Sequence, residues 1–111
     1  MKKYLLLQRS TPEAHTPPSP AEMQAMYAAF NAWKEKFNDS ILDMGGKLTR
    51  GGRVLSTAGV SDGPFVEAKE IIGGFMIVAA DSYERALEVA RECPGLIAPG
   101  SSCEIRELAG P

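Results

Sequence analysis

The side chains best equipped for chemistry gather in one stretch, Asp62-Gly63-Pro64-Phe65-Val66-Glu67-Ala68-Lys69-Glu70. In a turn, Asp62 accepts backbone hydrogen bonds and shapes the Gly63-Pro64 reversal; in a cleft, the same carboxylate serves acid–base chemistry. Glu67 and Lys69 share one face of an alternating strand. They form either an exposed pair of little energetic weight or a carboxylate and an ammonium converging on a cleft. The sole histidine, His15, has an unperturbed pKa near neutrality, and a loop can carry it over a cleft as a proton-transfer group. The plainer reading is an exposed loop histidine. Asp62 and His15 are thus the catalytic candidates.

Other chemistries find no support in the residue pattern. The glycine pairs at 45–46, 51–52 and 73–74 do not form a dinucleotide fingerprint, and Gly46-Lys47 is followed by Leu48 where a nucleotide loop needs Ser or Thr. Cys93 and Cys103 have no partners at ligand spacing, so no metal is expected, and no cofactor either. A serine-hydrolase elbow is absent. With 12 basic and 14 acidic groups the net charge is −2, which argues against an electrostatic nucleic-acid binder. Tyr4-Leu5-Leu6-Leu7 is too short for a signal-peptide core and no run approaches a membrane span. A cytoplasmic protein with reduced thiols is the expectation.

These candidates have to be positioned by one domain, residues 1–111, with 44% apolar residues to build its core. Residues 3–8 are apolar on both alternating faces, as in a strand covered on both sides, and 75–80 repeat that signature. Residues 10–19 hold Pro12, Pro17 and Pro18 and read as an extended loop able to act as a lid. Ser19, Pro20 and Glu22 make a capping box that opens a helix. Met23, Met26, Tyr27, Phe30, Trp33, Phe37, Ile41 and Met44 then recur at helical spacing, so a continuous helix to Gly45-Gly46 is expected. The alternative is a break at residues 38–40, with Ser40 capping a short second helix, because Asp39 and Asp43 are disfavoured at a helix C-terminus.

Short strands are expected at 47–49 and 53–57, a turn at 61–64, and a hairpin partner at 65–69. Asp81 and Glu84 read as a second capping box, opening a helix to Cys93 in which Tyr83, Ala86, Leu87, Ala90 and Cys93 face inward. Residues 102–108 alternate as a half-exposed strand. The resulting order, β-α-β-β-β-α-β, is an α+β, ferredoxin-like plan with an antiparallel sheet and both helices on one face. The other face is then bare, and its apolar residues call for a second copy of the chain, a homodimeric two-sheet barrel.

Two functions compete within this plan. The first is a small-molecule site between the first helix and the sheet, walled by Met26, Phe30, Trp33 and Phe65, with Asp62, Glu67, Lys69 and Arg9 as polar groups. Each of these apolar side chains, taken alone, can simply fill core. The second is a non-catalytic dimeric module that binds another protein.

Asp62-Gly63-Pro64-Phe65, with Glu67, Lys69-Glu70 and Gly73-Gly74-Phe75 after it, closely resembles the motif that names the DGPF group of the YCII-related family. The Met23…Met26-Tyr27…Phe30-Asn31 helix, the Asp81…Ala86-Leu87 helix and the Ser102…Glu104-Ile105-Arg106 strand resemble that group too, over residues 3–108. The resemblance implies a dimeric α+β barrel of small bacterial proteins with a cleft for a small molecule. It also implies, from similar domains found with sigma factors, a regulatory or protein-binding use. Wider relatives carry a histidine at the start of the first helix and an aspartate as an acid–base pair. His15 precedes Ser19 and does not match that place, whereas Asp62 matches the turn motif.

Overall fold

A computed structural model of the chain describes residues 1–10, 18–63 and 71–110. In chain order the elements are β1 (Lys2–Ser10), α1 (Pro20–Lys36), β2 (Ile41–Lys47), β3 (Gly52–Ser56), β4 (Gly59–Gly63), β5 (Ile71–Ala80), α2 (Tyr83–Glu92) and β6 (Ser101–Glu107). β1, β2, β5 and β6 form one antiparallel sheet in the order β2-β5-β1-β6, while β3 and β4 pair only with each other. The two strands with apolar side chains on both faces occupy the centre, as their sequences require.

Alternation along β1 and β5 sends Tyr4, Leu6, Met76, Val78 and Ala80 to one face, where both helices cover them. From α2 come Ala86, Val89 and Ala90; from α1 and its end come Trp33 and Phe37. The Trp33 indole N–H donates to the Val89 carbonyl at 2.9 Å, so the largest core ring also ties the helices together without an orphaned donor. The other sheet face carries Leu5, Leu7, Phe75 and Ile77, with no helix over it among the described residues.

The start of α1 follows the capping box: Ser19 Oγ accepts from the Glu22 N–H at 3.2 Å, and Glu22 Oε1 accepts from the Ser19 N–H at 3.3 Å. Its end does not follow the apolar stripe. The helix stops at Lys36, neither continuing to Met44 nor resuming after Ser40, and Ile41–Lys47 is strand instead. Phe37 O accepts from the Ser40 and Ile41 N–H groups, and Ser40 O then accepts from the Ala79 N–H at 2.7 Å, starting the sheet ladder. Lys34 and Lys36 suit the negative end of the dipole, and Asp39 and Asp43 escape it. Ile41 and Met44 still reach the core, from the sheet.

The order is β-α-β-β-β-β-α-β, with β2 over 41–47 where a strand was expected only at 47–49. Ser61, Asp62 and Gly63, read from sequence as a turn, lie in β4, which pairs with β3 in the register Arg53↔Asp62 and Leu55↔Val60. That hairpin turns at Thr57-Ala58, where Ser56 Oγ accepts from the Ala58 N–H at 3.2 Å. The expected partner strand at 65–69 lies outside the described residues.

In α2 the N-cap is Ser82 rather than Asp81, its Oγ accepting from the Arg85 N–H at 3.3 Å. The stripe is accordingly Ala86, Val89, Ala90 and Cys93, while Tyr83 and Leu87 are more than two-fifths exposed. Cys93 ends the helix and Pro94 prevents its continuation.

Candidate functional site

α1 is held at one end only. Trp33 and Phe37 are buried, but Met23, Met26 and Tyr27 on the first turns are exposed, so the N-terminal half of the helix overhangs the sheet. Beneath it is a cleft of about 380 Å³, within the range of small-molecule sites. Met26, Tyr27 and Phe30 form its roof. Leu6, Met44 and Met76 form an apolar floor, and residues 93–96 after α2 close the back.

The polar part of the floor is a single rung of the sheet. Lys47 of β2 pairs with Gly74 of β5, Gly74 pairs with Gln8 of β1, and Gln8 pairs with Cys103 of β6. Alternation from Tyr4 and Leu6 puts this rung on the helix face. Gly74 lets the strands approach closely: a Cβ there would sit 3.2 Å from Gly46 O and 3.5 Å from Gln8 Oε1. Lys47 and Gln8 both line the cleft, and neither has an ion pair or side-chain hydrogen bond among the described residues.

Lys47 reaches Gly74 through a bulge. β2 pairs with β5 at Ile41, Asp43, Gly46 and Lys47, with register shifts between them. Gly45 takes the slack at φ +61°, its N–H donating to Asp43 Oδ1 at 2.8 Å. A Cβ on Gly45 would overlap the Phe75 carbonyl.

The back wall includes a thiol. Burial pushes Cys93 up to about 11, and neighbouring Cys103 adds to the rise; burial likewise holds Cys103 at about 11, against a hydrogen bond from the Leu7 backbone. Both thiols are free. Protonated at neutral pH, they are poor nucleophiles, and Cys93 presents the cleft with an uncharged surface. No group of three metal-ligating side chains exists among the described residues.

Of the residues singled out in the sequence, Met26 and Phe30 line the cleft. Trp33 is buried behind Phe30, ring centroids 5.4 Å apart, and supports that wall. Arg9 lies on the opposite sheet face, where its Nη1 meets Glu104 Oε1 at 2.8 Å. Asp62 is fully exposed on the β3–β4 hairpin, 3.8 Å from Arg53, and does not line the cleft. His15, Phe65, Glu67 and Lys69 lie outside the described residues. Gln8, Lys47 and Gly74 were missed by sequence reasoning. The signal for two of them was present: a lone amide closing an apolar strand, and a glycine pair at the head of another.

An antiparallel four-stranded sheet with two helices on one face and a cleft under the first helix defines an α+β protein with a ferredoxin-like sheet plan. Within that class, the chain belongs to the YCII-related family, whose domain matches residues 2–109. Among solved structures it is similar to 5-chloro-2-hydroxyhydroquinone dehydrochlorinase (TftG) from Burkholderia phenoliruptrix AC1100, in complex with 2,5-dihydroxybenzoquinone. The TM-score is 0.50 at 19% identity, over 96% of this chain and 93% of that one. No curated protein matches by sequence. No helix among the described residues is long and apolar enough to cross a membrane.

Proposed function

We propose that the protein is a homodimer that binds a small, largely apolar molecule in the cleft beneath α1. The observation that carries this reading is the cleft itself: about 380 Å³, mostly apolar, with Lys47 and Gln8 in its floor and neither paired among the described residues. Unpaired polar groups amid apolar walls are what orient a ligand. A fold-mate that holds a dihydroxybenzoquinone supports the scale of the ligand, not its identity.

Catalysis is the finer form of this reading. The described cleft lining holds no carboxylate or imidazole, so an acid–base group has to come from another segment. Ser10 and Ile71 pair at the cleft end of β1 and β5, which gives residues 11–17 and 64–70 a common point of attachment. Of the sequence candidates, His15, Glu67 and Lys69 belong to those two segments, whereas Asp62 lies on the hairpin, where we assign it a structural role. The two unpaired thiols fit a reducing, cytoplasmic setting.

The homodimer rests on the uncovered sheet face, where Leu5, Leu7, Ile77 and Phe75 form an apolar surface that a second copy can bury. One observation favours the other reading, a module that binds a different protein: Leu55 and Val60 face solvent side by side on the hairpin, 80% and 66% exposed. A thermal-shift screen over a broad metabolite set separates the two. Stabilisation by a compound, lost in Met26→Trp, supports the cleft; no stabilisation, with a specific protein partner recovered through Leu55 and Val60, supports the module.

A further inference from the structure

Resting on the homodimer in the reading above, we infer that the β3–β4 hairpin is an arm exchanged between subunits, its Leu55–Val60 face seated in the groove between α1 and β2 of the second copy. The hairpin supplies the first observation. Among the described residues β3 and β4 pair only with each other, and a two-stranded ribbon held by its own hydrogen bonds alone is marginal in water. Its two faces differ. Val54 on one is half-buried, whereas Arg53, Leu55, Val60 and Asp62 on the other are all exposed. Arg53 stands opposite Asp62 and Leu55 opposite Val60, so an apolar pair lies beside a pair of opposite charges.

The groove supplies the second. β2 is an edge strand, and beside its first residues α1 leaves a trough of about 490 Å³. Ile41, Leu42 and Met44 make one wall, Lys34 and Glu35 of α1 the other. Leu42 is half-exposed, and neither Lys34 nor Glu35 has an ion pair among the described residues. The two surfaces match in kind: Leu55 and Val60 against the partner's Leu42, Arg53 against the partner's Glu35, and Asp62 against the partner's Lys34. This complementarity between two surfaces of one chain is why a second copy, rather than a different protein, is the occupant.

Chain direction permits the exchange. The hairpin leaves β2 at Lys47, while the groove lies at the Ile41 end of that strand. A twofold axis that sets two β2 strands antiparallel brings each hairpin to the groove end of the other. The four-residue link 48–51 reaches up to about 14 Å, and the hairpin adds about 17 Å. That is enough to pass round the edge of a sheet stacked about 10 Å away.

Disulfide trapping in the full chain tests this. A Leu42→Cys, Leu55→Cys double variant oxidised with diamide should run as a covalent dimer, and neither single variant should; the two single variants refolded together should yield the dimer again. Both positions are exposed, so the variants should unfold at the wild-type temperature. As a second measurement, Arg53→Glu should raise the dimer dissociation constant several-fold in sedimentation equilibrium, and adding Glu35→Arg should restore it. A disulfide closed within one chain would lay the hairpin on its own subunit and overturn the inference. A sedimenting dimer with no disulfide between these positions, or a charge swap that fails to rescue, overturns the exchange and leaves the homodimer standing. The same holds if Leu55 and Val60 instead capture a different protein. A chain that sediments as a monomer removes both the exchange and the homodimer.

Discussion

Gly45 and Gly46 are neighbours in β2 with opposite constraints. Gly45 has a positive φ and its Cβ position is already filled by the Phe75 carbonyl, whereas a Cβ on Gly46 would meet nothing within 4 Å. Gly45→Ala is therefore expected to lose at least about 2 kcal/mol, since backbone strain and overlap act together. Gly46→Ala should stay within about 0.5 kcal/mol of wild type. Urea denaturation of the two variants checks the contrast. A mild Gly45→Ala would mean that the bulge placing Lys47 beside Gly74 is not under this constraint.

The thiols give a pH dependence whose sign follows from their direction. In the unfolded chain a cysteine loses its proton near 9.0, but Cys93 and Cys103 keep theirs in the fold until about 11. The folded state thus binds more protons across that interval, and stability is full below about 9 and falls as pH rises toward 11. Denaturation midpoints measured from pH 7 to 11 should show the decline, and a Cys93→Ala, Cys103→Ala double variant should flatten it. An identical slope in the double variant would assign the decline to other groups.

Among the elements, α2 shows how one residue of offset redistributes burial. Asp81 and Ser82 are both good N-cap types, and sequence alone favoured Asp81 through Glu84. The backbone enters the helix one residue later, which turns Val89 inward and Leu87 outward. Ser82→Ala should accordingly cost about 1 kcal/mol, the worth of an N-cap, and Asp81→Ala distinctly less. Thermal unfolding of the pair decides which residue caps. α1 is the complementary case. Its start was legible because Ser19, Pro20 and Glu22 act locally through their own backbone. Its end was not, because Ile41 and Met44 satisfy the core equally well from a helix or from a strand. The ladder bonds to β5 that decide between them join residues far apart in sequence.

At the scale of the whole molecule, the chain is a slab of 46 × 43 × 19 Å with a radius of gyration of 15.6 Å, against about 13 Å for a compact chain of this length. Among the described residues the excess goes with an overhanging helix, a hairpin that pairs only with itself and a sheet face without a layer over it. A two-stranded hairpin is marginal alone, so β3 and β4 are expected to gain from a partner surface. Ile77 sits half-buried on β5 in the uncovered face. Ile77→Lys should convert the proposed dimer to a folded monomer in sedimentation equilibrium. A dimer that persists would place the subunit interface elsewhere.

What this sequence determined by itself was whatever depends on short-range pattern: the two central strands, both helices, the antiparallel plan with one bare face, and the family. These follow from side-chain alternation and capping, which act over a few residues. The tertiary structure decided where β2 lies and which polar groups meet. Gln8, Lys47 and Gly74 come from three separated strands and become one rung only when the register of β2-β5-β1 is set. Arg9, one residue beyond Gln8, is carried to the opposite face by the same pleat. Register depends on long-range pairing and on a bulge at Gly45, neither of which periodicity along the chain encodes.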